Sequence, residues 1–209
     1  TEFYGLDRVP VIFNGVNLHR CIPKRSYGLG DTVSLLHIGR FDEQKNHAGL
    51  LQAFAKLLKT HPNCCLNLLG DGHLRTEMEN YARELGIGHA VRFLGNQADV
   101  HPYLHDADMF LLPSKYEGMP MTIIEAMGTG LPIVASRVGG VPDMLRDGES
   151  GLLVGCDPDE VCAACERLID SEELRRTLGQ NALADSVRFS AETMAKRYCE
   201  EYERLTAKK

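Results

Sequence analysis

Short apolar runs that end in glycine alternate with segments of helical spacing along most of this chain, and no other feature narrows the fold so far. Val33 to Ile38 is such a run, closed by Gly39. Leu50, Leu51, Phe54, Leu57 and Leu58 then recur at helical spacing, which predicts an amphipathic helix from Asn46 to Thr60, with Pro62 beyond its end. Cys65 to Leu69 is the next strand, ended by Gly70-Asp71-Gly72, and a helix through Met78, Tyr81 and Leu85 stops at Gly86. The alternation continues with strands at Val91 to Leu94, Met109 to Leu112, Ile133 to Ala135 and Leu152 to Val154. Helices are expected between them at Val100 to Leu104, Thr122 to Met127 and Pro142 to Leu145. Val9 to Phe13 reads as a further short strand, ended by Asn14-Gly15, and Ser26 to Asp31 as a polar loop. Strands and helices in this order form βαβ units, so the expected fold is α/β, a doubly wound parallel sheet with helices on both faces.

Beyond Gly155 the pattern is wholly helical. Asp157-Pro158-Asp159-Glu160 offers an N-cap, a proline at the first helical position and a capping-box glutamate. Ser171 and Ser190 read as two more N-caps, and the last helix would carry Met194, Tyr198, Tyr202 and Leu205 on one face. The 209 residues suit one domain of ordinary globular composition, 44% hydrophobic and 25% charged. A net charge of −6 argues against a general nucleic-acid surface. No apolar run reaches membrane-spanning length. Seven cysteines, an odd number, read as reduced cytosolic thiols. Cys64-Cys65 falls in a strand pattern and Cys162-Ala163-Ala164-Cys165 inside a helix, so packing is expected of both rather than redox chemistry. The eight histidines show no zinc-site spacing. The chain opens at Thr1 beside a strand-like segment, and the expectation is that an N-terminal portion precedes it.

In an open parallel sheet, ligands settle beyond the carboxyl ends of the strands, where the strand order reverses. The polar residues gather at such ends. Gly39-Arg40-Phe41-Asp42-Glu43-Gln44-Lys45 follows one predicted strand, Gly70-Asp71-Gly72 another and Gly95-Asn96-Gln97 a third. Pro113-Ser114 leads from a fourth into Tyr116-Glu117-Gly118-Met119-Pro120-Met121-Thr122-Ile123-Ile124-Glu125-Ala126-Met127. Here two glutamates, eight positions apart, bracket a turn that enters a helix. Glu117 and Glu125 can face one polar ligand together, with the Met121 and Thr122 amides at the helix start available to an anion. Arg40, a planar fork, and Lys45, a mobile point charge, suit a diphosphate. Hydroxyls, phosphates and further hydroxyls are what a sugar nucleotide presents. Each residue has an ordinary reading too. Arg40 and Lys45 can be solvated cations beside Asp42 and Glu43, Glu117 an exposed loop carboxylate, and Glu125 the far half of a capping box Thr122-Ile123-Ile124-Glu125. Met119 and Met121 can fill gaps. Gly70, Gly72, Gly139 and Gly140 read as turns, since neither pair completes a dinucleotide fingerprint and no Walker motif is present.

Taken in order, Asn14-Gly15-Val16, Gly39-Arg40 with Lys45, Gly70-Asp71-Gly72, Phe93-Leu94-Gly95, Glu117-Gly118-Met119-Pro120 with Glu125-Ala126, and Ser136-Arg137-Val138-Gly139-Gly140-Val141-Pro142-Asp143 form a recognisable set. The set resembles the C-terminal, donor-binding domain of a retaining GT-B glycosyltransferase of the group 1 (family 4) type. The resemblance covers nearly the whole chain and implies a Rossmann-like domain, one half of a GT-B fold, with a helical C-terminal segment. On it, residues 1–209 form the nucleotide-sugar domain, 1–20 the interdomain crossover, and 190–209 a C-terminal helix returning toward an N-terminal domain absent from this sequence. It implies that Arg40 and Lys45 bind the donor diphosphate, Glu117 the donor sugar and Glu125 the ribose. Gly118, Met119, Pro120, Met121 and Thr122 would line the sugar and phosphate site, with Asn96 or Gln97 near the base. It implies transfer of a hexose-type sugar, with retention, from a nucleoside-diphosphate sugar to a glycan or lipid-linked glycan held mainly by the other domain. No cofactor, no obligatory metal and no nucleic-acid partner are expected. The expected location is cytoplasmic, with attachment at the cytoplasmic membrane face as a variant. Met119 and Pro120 stand where the family often has an aromatic and a glycine, which leaves the sugar open. A sugar-nucleotide epimerase and a non-catalytic nucleotide-sugar-binding module are the alternatives. A glycoside hydrolase would have no need of the diphosphate cations.

Overall fold

The computed structural model describes residues 10–207. Six strands, β1 (Val33–Ile38), β2 (Cys64–Leu69), β3 (Val91–Gly95), β4 (Met109–Leu112), β5 (Ile133–Ser136) and β6 (Leu152–Val154), form one parallel sheet in the order β3-β2-β1-β4-β5-β6. Helices α1 (His47–Thr60), α2 (Arg75–Glu84), α3 (His101–Asp106), α4 (Met121–Thr129) and α5 (Val141–Met144) connect successive strands. Then α6 (Pro158–Asp170), α7 (Glu172–Ser186) and α8 (Ala191–Thr206) complete the chain.

The strands read as unbroken apolar runs because both faces of the sheet are covered. Successive side chains point to opposite faces. Val33 and Leu35 of β1 therefore join one core, with Met109 and Leu111 of β4 and the apolar faces of α1, α2 and α6. Leu36 and Ile38 join the other, with Phe110 and Leu112 of β4 and the buried residues of α4 and α5. α1 supplies Leu50, Leu51, Phe54 and Leu57 to the first core, which is why its spacing showed in the sequence. Asp157, Ser171 and Ser190 cap α6, α7 and α8 through their side-chain oxygens, as their positions before acidic first turns predict. Cys162 and Cys165 lie buried in α6, and burial raises both thiols, so they pack rather than react.

One expected strand does not form among the described residues. Residues 10–13 have no regular structure, and Val9 lies outside the described residues. Pro10 removes a ladder donor, and Val11 stands open to solvent without a neighbouring strand. Just after, Val16 bridges Ser190: its N–H donates to Phe189 O at 3.0 Å and its carbonyl accepts from Ala191 N at 2.9 Å. The start of the described chain is thereby tied to the start of α8. Tyr198, Tyr202 and Leu205 on α8 are exposed.

The sheet order reverses between β1 and β4, the strands that start its two halves. Their carboxyl ends release two loops side by side, residues 39–46 and 113–120, and Arg40, Lys45 and Glu117 lie on them.

Candidate functional site: a crevice at the reversal of the sheet

A crevice of about 420 Å³ opens above the ends of β1, β2 and β3 against the start of α4. Its lining includes Arg40, Lys45, Asp71, Asn96, Met121 and Thr122. The sequence expectation placed five of these six in one site, and the fold brings them together from four separate loops. Gln97, the other candidate for the nucleoside end, turns its amide back to the carbonyl of Leu94 at 2.6 Å. Glu117, Gly118, Met119 and Glu125 are not among the lining residues. Met119 packs against the second core, and its sulfur accepts from the Asn14 amide.

Glu117 stands directly behind Lys45. The Lys45 ammonium donates to Glu117 Oε1 at 2.5 Å, with side chains only 15% and 5% exposed. The ordinary reading of both as solvated loop charges is therefore wrong, because the two loops bury each charge against the other. Arg40 is different. Its side chain is 72% exposed, and its Nε donates to Asp42 Oδ2 at 2.6 Å. Asp42 also accepts from the Lys45 amide at 3.2 Å through its other oxygen. Burial works against this carboxylate, yet the Arg40 guanidinium and the Lys45 amide together hold it below the ordinary range. Asp42 thus folds the loop so that both cations face the crevice. The sequence reading passed over it, although Asp is a residue type that closes turns onto nearby backbone N–H groups.

Helix α4 begins at Met121, with Pro120 as its N-cap and no side-chain cap. Met121 and Thr122 occupy its first two positions, where amides lack intrahelical acceptors. Neither donates elsewhere among the described residues. Two N–H groups and the positive helix end thus face the crevice beside Arg40 and Lys45.

Pro120 as N-cap also removes the capping-box reading of Glu125. Thr122 sits inside the helix, so no capping box forms, and Glu125 lies one turn further in. Burial pushes its carboxyl above the ordinary range, while His101 and Arg20 pull it back. His101 and Arg20 meet on Asp99 Oδ1, at 2.6 Å from His101 Nδ1 and 3.2 Å from Arg20. Glu125 is a half-buried carboxylate with Arg20 and Asp99 in its surroundings and no side-chain hydrogen bond among the described residues.

Two glycine turns hold the crevice loops by backbone contact. Gly139 has φ +51, and a Cβ there would fall 1.7 Å from the Glu117 carbonyl oxygen. Its neighbour Gly140 donates its N–H to the Gly118 carbonyl at 3.0 Å. Gly70, at φ +130, plays the same part for the other loop, with a Cβ falling 2.0 Å from the Gly39 carbonyl oxygen. These glycines are turns, as expected, but their reason is close approach to a second loop.

Beneath Lys45 lies a pair the sequence reading missed. His37 and His47 are both buried, with ring centroids 4.8 Å apart, and His47 stacks on Phe41 at 4.0 Å. Burial lowers His37 to about 4 and His47 to about 2, so both are neutral. His37 Nδ1 meets the Leu111 carbonyl at 2.8 Å, while both His47 nitrogens lack a hydrogen-bond partner among the described residues. No group of three or more His, Cys, Asp or Glu suited to a metal ion occurs among the described residues.

Comparison with known proteins gives this geometry its family. The family described as "Glycosyl transferases group 1" matches residues 24–185. A D-inositol 3-phosphate glycosyltransferase of Corynebacterium kroppenstedtii is 37% identical over 176 residues, which cover 79% of this chain and 39% of that protein. The N-acetyl-alpha-D-glucosaminyl L-malate synthase of Bacillus anthracis is 34% identical over 180 residues, covering 84% of this chain and 46% of that protein. The chain therefore spans less than half of the length of each of these two relatives. Among solved structures, HepE of Anabaena in complex with UDP superposes with a TM-score of 0.85 at 25% identity, over 93% of this chain and 57% of its own. The same protein is known in complex with UDP-glucose. The C-terminal domain of a group 1 glycosyl transferase from Francisella tularensis, 20% identical, shares the fold with a TM-score of 0.76 over 85% of this chain and 100% of its own. The chain belongs to the group 1 glycosyltransferases, with the fold of the C-terminal, Rossmann-like half of a GT-B enzyme.

Proposed function

We propose that this chain supplies the donor site of a retaining glycosyltransferase, which moves a hexose-type sugar from a nucleoside-diphosphate sugar to a glycan or lipid-linked glycan. One observation carries the reading. Arg40, Lys45, Asn96 and the open amides of Met121 and Thr122 converge on a single crevice, with Glu117 held against Lys45 at its side. In this reading the diphosphate lies between the two cations and the start of α4. As the sugar–phosphate bond breaks, negative charge grows on the diphosphate, and these groups stabilise it in place. Glu117 takes hydroxyls of the donor sugar, Glu125 those of the ribose, and Asn96 stands toward the base. Backbone from Gly118 through Met119 and Pro120 to Thr122 borders the sugar. The cations carry the leaving-group charge, so the reading uses no cofactor and no obligatory metal.

The UDP and UDP-glucose complexes of HepE support a nucleotide-sugar ligand. Because the chain spans only part of its relatives, the reading assigns most acceptor contacts to sequence outside it and expects slow turnover from this chain alone. No helix among the described residues is long and apolar enough to cross a membrane. The reading places the activity in the cytoplasm, with attachment at the membrane face where the acceptor is lipid-linked.

Calorimetry with UDP, GDP and ADP tests it. At least one is expected to bind at millimolar concentration or better, and failure of all three would remove the reading. Lys45→Ala should then weaken diphosphate binding more than nucleoside binding, whereas equal losses would take Lys45 away from the phosphates.

A further inference from the structure

The loop after β1 carries a second side chain that reaches the Glu117 carboxylate. Gln44 Nε2 donates to the Tyr116 carbonyl at 3.0 Å and to Glu117 Oε2 at 3.3 Å. Lys45 Nζ holds the other oxygen, Oε1, at 2.5 Å. The backbone closes the same junction, since the Lys115 amide donates to the Gln44 carbonyl at 2.8 Å. Two neighbouring residues thus divide one carboxylate between them, an ammonium on one oxygen and an amide on the other.

A diphosphate in the crevice would treat these two donors differently. Lys45 is a charge on a flexible stem that lines the crevice, and a dianion there would draw it away from Glu117. Gln44 is neutral, is not among the lining residues, and is tied at both its amide and its carbonyl to residues 115–117. Once Lys45 turns to the phosphates, Glu117 would be a carboxylate 5% exposed that has lost its counter-ion. Such a group needs a remaining donor to keep its place and its charge.

We infer that Gln44 is a positioning residue that keeps Glu117 seated for the donor sugar while Lys45 is engaged by the diphosphate. This rests on the sugar-nucleotide reading of the crevice given above. The role differs from that of an ordinary loop strap, and a strap of that kind is present for comparison. Asn46 Nδ2 donates to the Pro113 carbonyl at 3.1 Å, joining the same two loops without touching Glu117.

The test uses two substitutions in this chain. Gln44→Met keeps the length and volume of the side chain and removes its donor. Asn46→Gly removes the neighbouring strap and keeps a residue suited to the left-handed backbone there, φ +55. Binding of UDP and UDP-glucose, with GDP and GDP-mannose as a second pair, is measured by calorimetry, and thermal melts confirm folding. For whichever pair binds, the ratio of the sugar-nucleotide Kd to the nucleotide Kd should rise about tenfold in Gln44→Met, the weight of one charge-assisted hydrogen bond. The ratio should stay within about twofold in Asn46→Gly. An unchanged ratio in Gln44→Met, or an equal loss of both ligands, overturns the inference while leaving the crevice a nucleotide site. Absence of nucleotide binding by the unsubstituted chain removes the underlying reading, and this inference with it. If Gln44→Met fails to fold, Gln44→Glu serves. A carboxylate set against Glu117 should raise the same ratio at least as far, and an unchanged ratio again overturns the inference.

Discussion

Lys45 and Glu117, 72 residues apart in sequence, meet at 2.5 Å because the sheet reverses between the two strands whose ends carry them. The pair is mostly buried, so removing one partner leaves the other charged in a poor solvent. Lys45→Met strands a carboxylate and should cost about 2–3 kcal/mol of stability. Glu117→Gln leaves an ammonium that can lean into the open crevice, and should cost about 1 kcal/mol. The double variant should be more stable than the sum of the singles implies, with a coupling of about 1–2 kcal/mol. Urea denaturation of the four proteins measures it. Additivity within about 0.5 kcal/mol would mean that the contact holds nothing.

The glycine contact behind Glu117 gives a second expectation. Gly139 and Gly148 both have left-handed backbones, at φ +51 and φ +74. An alanine at Gly148 meets nothing within 4 Å, so only the backbone cost applies, about 1–2 kcal/mol. An alanine at Gly139 carries the same backbone cost and also drives a methyl into the Glu117 carbonyl. Gly139→Ala should therefore lose at least about 2 kcal/mol more than Gly148→Ala, and should weaken nucleotide-sugar binding about tenfold or more. Gly148→Ala should bind as the unsubstituted chain does. Equal stabilities and equal affinities would show that the loop yields freely.

These cases mark how far the sequence could be read. β1 and β4 were located to the residue, because strands covered on both faces appear as unbroken apolar runs. Arg40, Lys45 and Glu117 stood out by type and by their place after strands. Gln44 and the His37–His47 pair did not, because their surroundings depend on which elements pack against them, and residues 72 apart carry no local sign of meeting, whereas Asp42, whose partners Arg40 and Lys45 are local, was passed over. The Thr122-to-Glu125 capping pattern had the right spacing but the wrong start, since Pro120 sets the N-cap. Residues 10–13 have apolar character, but a strand also needs a neighbour, which periodicity cannot report.

On the donor-site reading, Glu125 would tie ligand binding to pH. Its carboxyl is raised by burial, so the folded chain holds that proton more tightly than the unfolded chain does. Stability therefore falls as pH rises from the ordinary carboxylate range through the raised value, and stays lower above it. Glu125→Gln removes this limb and should be more stable than the unsubstituted chain at pH 7, with the gap closing toward about pH 4. Nucleotide affinity should move the other way. A ribose hydroxyl is best accepted by the ionised carboxylate, so binding should weaken on acidification sooner than an ordinary glutamate would give, and Glu125→Gln should lose affinity at neutral pH. Urea midpoints and calorimetry across that range decide it. Matching pH profiles in the two proteins would remove Glu125 from the site.

His47 makes the opposite demand on pH. It is 2% exposed, stacked on Phe41, and both ring nitrogens are without a hydrogen-bond partner among the described residues. Two buried polar atoms left unpaired oppose folding, while the ring's packing favours it. Phenylalanine keeps a ring on Phe41 and removes the nitrogens, so His47→Phe should raise stability by about 1 kcal/mol at neutral pH. Acid should widen the difference. The unfolded histidine titrates near 6.5 and the folded one only near 2, so below 6.5 the unfolded chain gains a proton that the folded chain refuses. Stability is complete above the unfolded value and is lost as pH falls beneath it, by about 2 kcal/mol for this residue at pH 5. His37, held near 4 by burial, adds a loss of the same sign that both proteins share. The gap between His47→Phe and the unsubstituted chain should thus grow by about 2 kcal/mol between pH 7 and pH 5 in urea denaturation. A gap that does not widen would mean that the folded chain already accommodates the His47 proton, and that the ring does not sit in the closed, unpaired setting described beneath Lys45.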